Sequence, residues 1–190
     1  MSRINTQNDL GIAIRFIIIS ILILGFVYPL SVTLIGSKIF PDLSNGSLIK
    51  NKEGEIKGSY LLAQKHQTGI YFISRPSAGD YSTLPSLASQ LAPSSLDLHK
   101  KVEERKSDLG LKGIDWNRCQ ELLYESGSGL DPHITLDCAK AQVAYIAKNR
   151  NIPTDNLDLA IDRMKESPIF GILGRERINV MLLNLRLESL

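Results

Sequence analysis

The sequence predicts an α+β protein: one N-terminal transmembrane helix followed by a single small soluble α+β domain. Three observations predict it. An uncharged apolar run lies near the N-terminus, three later stretches carry helical spacing of apolar residues, and short β-type stretches bounded by turn residues lie around them. At 190 residues the chain has room for one ordinary domain plus something extra. The expected organisation is an N-terminal tail over 1–15, a membrane helix over 16–36 and a soluble domain over 37–190.

The apolar run, "FIIISILILGFVYPLSVTLI", spans Phe16 to Ile35 between Arg15 and Lys38. Its 20 uncharged residues are the length a helix needs to cross a hydrocarbon core of roughly 30 Å. Fourteen are Leu, Ile, Val or Phe, worth together at most ~4–8 kcal/mol of insertion. Pro29, four residues after Gly25, is tolerated in such a helix and predicts a kink there. A cleaved signal peptide with Phe16–Val27 as its core is the competing reading. The long polar leader and the lack of an A-x-A-like site speak against it, Ser31-Val32-Thr33 being the nearest approach. Arg3 and Arg15 before the run balance Lys38, Lys50 and Lys52 after it, so charge gives no orientation.

Beyond the run, "SLIKNKEGEIKGSYLL" reads as two strands around a Lys52-Glu53-Gly54 turn, and "GIYFIS" (69–74) as a further strand. A Ser-, Ala- and Pro-rich loop runs from Arg75 to about Pro93, long enough to suggest function. Ser94 starts a helix, with Asp97 in an approximate capping box, Leu98, Val102 and Leu109 as a thin apolar face, and Gly110 as its stop. Thr135 opens a second helix, burying Ala139, Val143, Ile146 and Ala147. Thr154 caps a third, burying Leu157, Ala160, Ile161 and Met164. The closing "RINVMLLNLRL" alternates Ile178, Val180 and Leu182 and reads as a strand.

From Ser37 onward 20 basic residues face 19 acidic ones, which argues against nucleic acid as a partner. Cys119 and Cys138 fit no zinc spacing; the expectation is two unpaired core thiols, with pairing open if the domain faces an oxidising compartment.

The stretch that most resembles chemistry is "SGSGLDPHI", 126–134. A nucleophile elbow needs glycines two before and two after the serine, and around Ser128 those places hold Ser126 and Leu130. No G-x-x-x-x-G-K-[ST] loop occurs, nor the D-K-T-G-T of a phosphorylated pump subunit, so this chain is not expected to hydrolyse ATP by itself. A Ser128–His133–Asp131 triad would have to form within six positions of a glycine turn, which does not suit triad geometry. Asp131 and His133 are metal-ligand types without further clustered ligands, and no metal is expected. The favoured reading is a shaped loop: Gly127 and Gly129 permit positive φ, Pro132 disfavours helix at Asp131, and Ile134 and Ala139 form a weak hydrophobic staple. Alternatives left open are an anchored hydrolase using Ser128 and His133, and an anchored small-ligand binder using the 75–93 loop.

The chain resembles the C subunit of the Kdp potassium-transporting ATPase. The resemblance rests on seven blocks in order: "YPLSVT", "NGS" (45–47), "GSYLLAQ" (58–64), "YFISRPSAGDY" (71–81), "SGSGLDPHI", Ala139 with Gln142 and Arg150, and "GILGRERINVMLLNL" (171–185). It implies a non-catalytic subunit that stabilises a pump through one membrane helix and a domain outside the cytoplasm of a prokaryote, its N-terminus inside. The implied partners are a potassium-binding channel-like subunit and a P-type ATPase subunit, together with membrane lipid. A role as catalytic chaperone raising ATP affinity is also implied, with ATP reached only through the complex and no cofactor of its own. The residues implied in structure or interaction are Arg75, Pro76, Ser77, Ser126, Gly127, Ser128, Gly129, Asp131, Pro132, His133, Gln142, Asn179 and Asn184. Two departures stand out. "SLASQLAP" (86–93) lacks the glycines of the family's "SGGSNL"-type stretch, which speaks against direct nucleotide binding, and Tyr145 stands where arginine is usual.

Overall fold

A computed structural model describes residues 6–51, 53–66 and 69–188. Arg3 and Lys52, both used in the sequence reading, lie outside the described residues. The chain divides after Leu48 into two units.

The first unit is built on a continuous helix: α1 (Thr6–Ser20), a π-helical stretch over Ile21–Val27, and α2 (Tyr28–Ile39), followed by the single turn α3 (Pro41–Ser44). Asp9–Ile39 is long and apolar enough to cross a membrane, and no side chain of its apolar core is covered by protein. The helix thus begins ten residues before the apolar run does. Pro29 sits at the start of α2, where it lacks an N–H and crowds the carbonyl four residues back. The expected kink site is met by widening of the helix immediately upstream, a known accommodation of a broken i→i−4 ladder.

The second unit is α+β. β1 (Leu48–Lys50) and β2 (Ile56–Ser59) form the expected hairpin, its turn held by Asn51, whose Oδ1 accepts from the amides of Glu53 and Glu55. α4 (Leu96–Leu111) follows the long loop and buries Val102 and Leu109. It starts after Ser95, with no side-chain cap, and runs one residue past Gly110. The Ser94–Asp97 capping box is therefore not what starts it.

Two 3₁₀ turns, Trp116–Arg118 and Gln120–Leu122, lead to β3 (His133–Ile134) and α5 (Leu136–Arg150). Thr135 caps α5 as expected, its hydroxyl accepting from the Cys138 amide at 3.2 Å. Ala139, Val143, Ile146 and Ala147 are all buried. Cys138, in the first turn of α5, is disulfide-bonded to Cys119, their Cα atoms 4.5 Å apart. This corrects the expectation of two free thiols: nineteen residues of sequence separation do not show that a helix start and a 3₁₀ turn fold face to face.

α6 (Thr154–Met164) buries Leu157, Ala160 and Ile161, but its cap position is Pro153, and Thr154 is the first helical residue. β4 (Lys165–Glu166) and β5 (Arg177–Asn179) complete a sheet of order β3-β5-β4, antiparallel throughout. Ile134 opposite Ile178 faces the core, while His133 and Glu166, on the two outer strands, share the other face with Arg177.

The terminal stretch corrects the sequence reading again. Only Arg177–Asn179 is strand; α7 (Val180–Leu187) follows at once. Asn179 makes the switch, its Oδ1 accepting from the Leu182 amide at 3.2 Å as an N-cap. Val180, Leu183, Asn184 and Leu187 then face inward at helical spacing, a pattern that short-range alternation of Ile178, Val180 and Leu182 conceals.

Residues 69–74 join no strand ladder beyond a single bridge at Tyr71. Gly69 and Ile70 form a turn, Tyr71–Ser74 belong to no helix or strand, and side chains bind the backbone of the segment. Asn184 accepts from the Phe72 amide at 2.8 Å and donates to the Phe72 carbonyl at 3.0 Å. Gln142 does the same for Ile73, at 2.7 and 3.3 Å. Arg150 donates to the carbonyls of Ile70 and Leu187. Phe72 and Gln142 are 0 % exposed and Asn184 is 1 % exposed. Two helices thereby present a side-chain substitute for neighbouring strands.

Candidate functional site

Glu125 anchors the "SGSGLDPHI" loop at its start. Burial opposes its ionisation, but Arg105 at 2.6 Å and Lys101 at 3.3 Å hold its carboxyl below the usual range, tying the loop to α4. Ser126 donates its amide to the Pro76 carbonyl, and its hydroxyl accepts from the Asp131 amide at 3.4 Å. The Ser128 hydroxyl accepts from the Leu130 amide at 3.1 Å. Gly129 has φ +71°, and a Cβ there would come within 2.7 Å of the Leu87 carbonyl oxygen and 3.1 Å of Ser77 Oγ. Only glycine fits. Gly127 has neither a positive φ nor a close neighbour, which corrects its expected role as a second hinge.

The 75–93 loop closes over this turn. Ser77 Oγ accepts from the amides of Gly79 and Tyr81, Tyr81 donates its hydroxyl to the Arg75 carbonyl, and Ser86 donates to the Ser128 carbonyl at 2.5 Å. Gln90 holds a left-handed φ of 53°, a conformation glycine adopts more readily. Ser86 and Leu87, at the start of "SLASQLAP", pack against the "SGSG" turn. Tyr145, the other departure, is partly buried against the core, its hydroxyl lying close to Gly69.

Beyond the turn the polar groups converge. Arg75 Nη1 reaches Asp131 Oδ2 at 3.1 Å, and Asp131 Oδ1 accepts from the His133 amide at 3.0 Å. His133 Nδ1 lies 3.3 Å from Asp131 Oδ1, and its Nε2 lies 3.6 Å from Glu166 Oε2, which Arg177 Nε meets at 2.8 Å. The result is a line of charged and polar side chains, Arg75–Asp131–His133–Glu166–Arg177. The His133 ring, then the backbone amide of His133 and the Arg75 guanidinium, bring the Asp131 carboxyl down to about 2 against the opposing effect of burial.

Arg75, Asp131 and His133 form the wall between two clefts. One, of about 410 Å³, also takes in Glu121, Thr135 and the Pro168–Leu173 flank. The other, of about 510 Å³, takes in Leu61, Leu62 and the "SGSGLD" turn.

The structure thus brings Arg75, Pro76, Ser77, Ser126, Ser128, Gly129, Asp131, Pro132 and His133 together at one site. Gln142 and Asn184 stand apart, while Asn179 is the cross-strand partner of His133. Gln142 and Asn184 clamp the segment 70–73, and Asn179 caps α7 while donating to the Tyr60 carbonyl at 2.7 Å. Sequence reasoning missed Glu166 and Arg177, whose place beside His133 follows only from the β3-β5-β4 register. It also read Arg150, beside Lys148 in the last turn of α5, as facing water, whereas Arg150 bonds the carbonyls of Ile70 and Leu187. The triad alternative finds no support, since the Ser128 hydroxyl serves its own turn and the His133 ring meets two carboxylates. Among the described residues no group of three or more His, Cys, Asp or Glu is placed to hold a metal ion.

Comparison with known proteins accounts for nearly the full length of the chain. The family model for the K⁺-transporting ATPase c chain, KdpC, matches residues 10–189. Similar proteins include the potassium-transporting ATPase KdpC subunit of Geotalea uraniireducens, 39% identical over 97% of this chain and 99% of that protein. Those of Synechocystis sp. (41% identical, 87% of this chain and 90% of that protein) and Leptospira interrogans (40%, 96% and 94%) bear the same name. With one membrane-length apolar helix, an α+β domain and a match over nearly its full length, the chain belongs to the KdpC family, the c chain of potassium-transporting ATPases.

Proposed function

We propose that this subunit acts by binding: it stabilises the pump assembly, with the Arg75–Asp131–His133–Glu166–Arg177 line and its two flanking clefts as the surface offered to partner subunits. The observation that carries this reading is that the reactive-looking groups of "SGSGLDPHI" are engaged in holding the loop's shape. What the loop presents outward is a fixed array of charge, which suits recognition. The partners on this reading are a channel-like potassium-binding subunit and a P-type ATPase subunit.

The domain belongs outside the cytoplasm, with the N-terminus inside. The Cys119–Cys138 disulfide supports this placement, because such bonds persist in oxidising compartments, and a single span puts the whole domain on one side. On that topology cytosolic ATP does not meet this domain. Any rise in the ATP affinity of the catalytic subunit is then transmitted through the assembly.

Gentle solubilisation of membranes from potassium-starved cells, followed by capture of the tagged chain, tests the proposal. A channel-like protein and a P-type ATPase should come with the native chain and be recovered less with Asp131→Ala. Recovery of the chain without either protein overturns it.

A further inference from the structure

Between β4 and β5 the chain makes a protruding turn, Pro168-Ile169-Phe170-Gly171-Ile172-Leu173-Gly174, in which no side chain can hydrogen-bond. Ile169, Phe170, Ile172 and Leu173 are 63, 90, 84 and 62 % exposed. Scattered apolar residues on a surface need no explanation, but four within five positions do.

Four amides of this turn bond to carbonyls within it. Ile169 and Leu173 exchange both amide–carbonyl bonds, at 2.9 and 3.0 Å, Gly171 donates to the Pro168 carbonyl, and Ile172 donates to that of Ile169. Four amides of the turn therefore do not depend on water. That property matters little for a loop in solvent and a great deal for one entering lipid, where an unpaired peptide group costs several kcal/mol. Phe170 adopts φ 55°, a left-handed conformation rare for an aromatic residue, at the most exposed point.

The base of the turn is charged. Lys165 pairs with Glu176 at 3.0 Å and Glu166 with Arg177 at 2.8 Å. Arg175 has no acidic partner among the described residues, so three cations face two carboxylates around an uncharged tip. An apolar tip with an aromatic residue and a basic collar matches the headgroup boundary of an anionic bilayer. Residues 40–47 are the whole connection between the end of α2 and β1, so the domain is tethered to a membrane by a short link.

We propose that the Pro168–Gly174 turn dips into the lipid interface of the membrane that holds the anchor, giving the domain a second, reversible attachment. This goes beyond the subunit-binding reading: Pro168, Ile169 and Leu173 also line the cleft of about 410 Å³, and on this inference lipid, not a partner subunit, meets that edge of it.

The test uses the full chain alone, reconstituted in vesicles of phosphatidylethanolamine and phosphatidylglycerol. The parent cysteines are bonded to each other, so Phe170→Cys takes a single environment-sensitive dye. The expected result is a blue-shifted emission, quenched several-fold more by shallow spin-labelled lipid than the same dye at Leu111→Cys, another highly exposed apolar site. Adding Ile172→Glu should bring the quenching at 170 down to the Leu111 level, with circular dichroism confirming the fold. Equal quenching at both sites overturns the proposal. So does an unquenched dye at 170 that becomes shielded only in the complete pump, which would make the turn a protein contact.

Discussion

The segment 70–73 and the turn 168–174 solve opposite problems. At 70–73 the side chain of Phe72 is wholly buried, and the backbone, with no strand ladder among the described residues, borrows polar side chains from α5 and α7. At 168–174 the side chains face outward, and four backbone amides find their partners within the turn. Peptide groups must find partners in either setting. In the core, though, the partners are distant in sequence and unforgiving of substitution, whereas at the tip they are local and indifferent to side-chain identity. The same change in polarity should therefore have unequal consequences in the two places.

The largest effect is expected at Asn184→Leu. It keeps the side-chain size but strips the Phe72 amide and carbonyl of their partners in a site 1 % exposed. Two lost hydrogen bonds and two stranded groups should cost about 3 kcal/mol, read as a lower urea midpoint and faster proteolysis between 69 and 74. A loss within about 0.5 kcal/mol would mean that water replaces Asn184, and the contrast with the tip would collapse.

How much of this was legible follows the same division. α5 was readable because its cap, Thr135, and its apolar face are local signals. The glycine turn was readable as a turn, although only Gly129 needs to be glycine, since the deciding contact comes from Leu87 some forty positions earlier. "GIYFIS" looked like a strand because its composition records burial; composition cannot tell whether a strand or an Asn–Gln clamp supplies the partners. "RINVMLLNLRL" misled because the alternation of Ile178, Val180 and Leu182 runs from the strand across its cap, Asn179, into the helix. Asp131 and His133 could be nominated from the sequence, while Glu166 and Arg177 could not, because strand register alone brings them together.

Between the two extremes lies Asp131, a third exposed and tied to both His133 and Arg75. Its carboxyl sits near 2 in the folded chain against an ordinary 3.8, so it contributes stability above pH 3.8 and loses it as pH falls through 2. With solvent screening at a partly exposed site, Asp131→Asn should cost on the order of 1 kcal/mol at pH 7. The difference from the parent chain should shrink toward zero as pH approaches 2, measured by urea unfolding across that range. A pH-independent difference would mean that shape and not charge holds the loop.

The smallest effect is expected at the tip. Phe170→Ser removes a side chain that is 90 % exposed, and the four amide bonds of the turn do not involve it. In detergent its unfolding midpoint should match the parent within about 0.5 kcal/mol. A larger destabilisation would show that the turn's internal amide bonds depend on Phe170 packing, and that its left-handed conformation is enforced by the aromatic ring. A slight stabilisation is equally informative. Serine relieves an exposed apolar surface, so a tip that is stabilised by polarity in water keeps its aromatic residue for something other than folding.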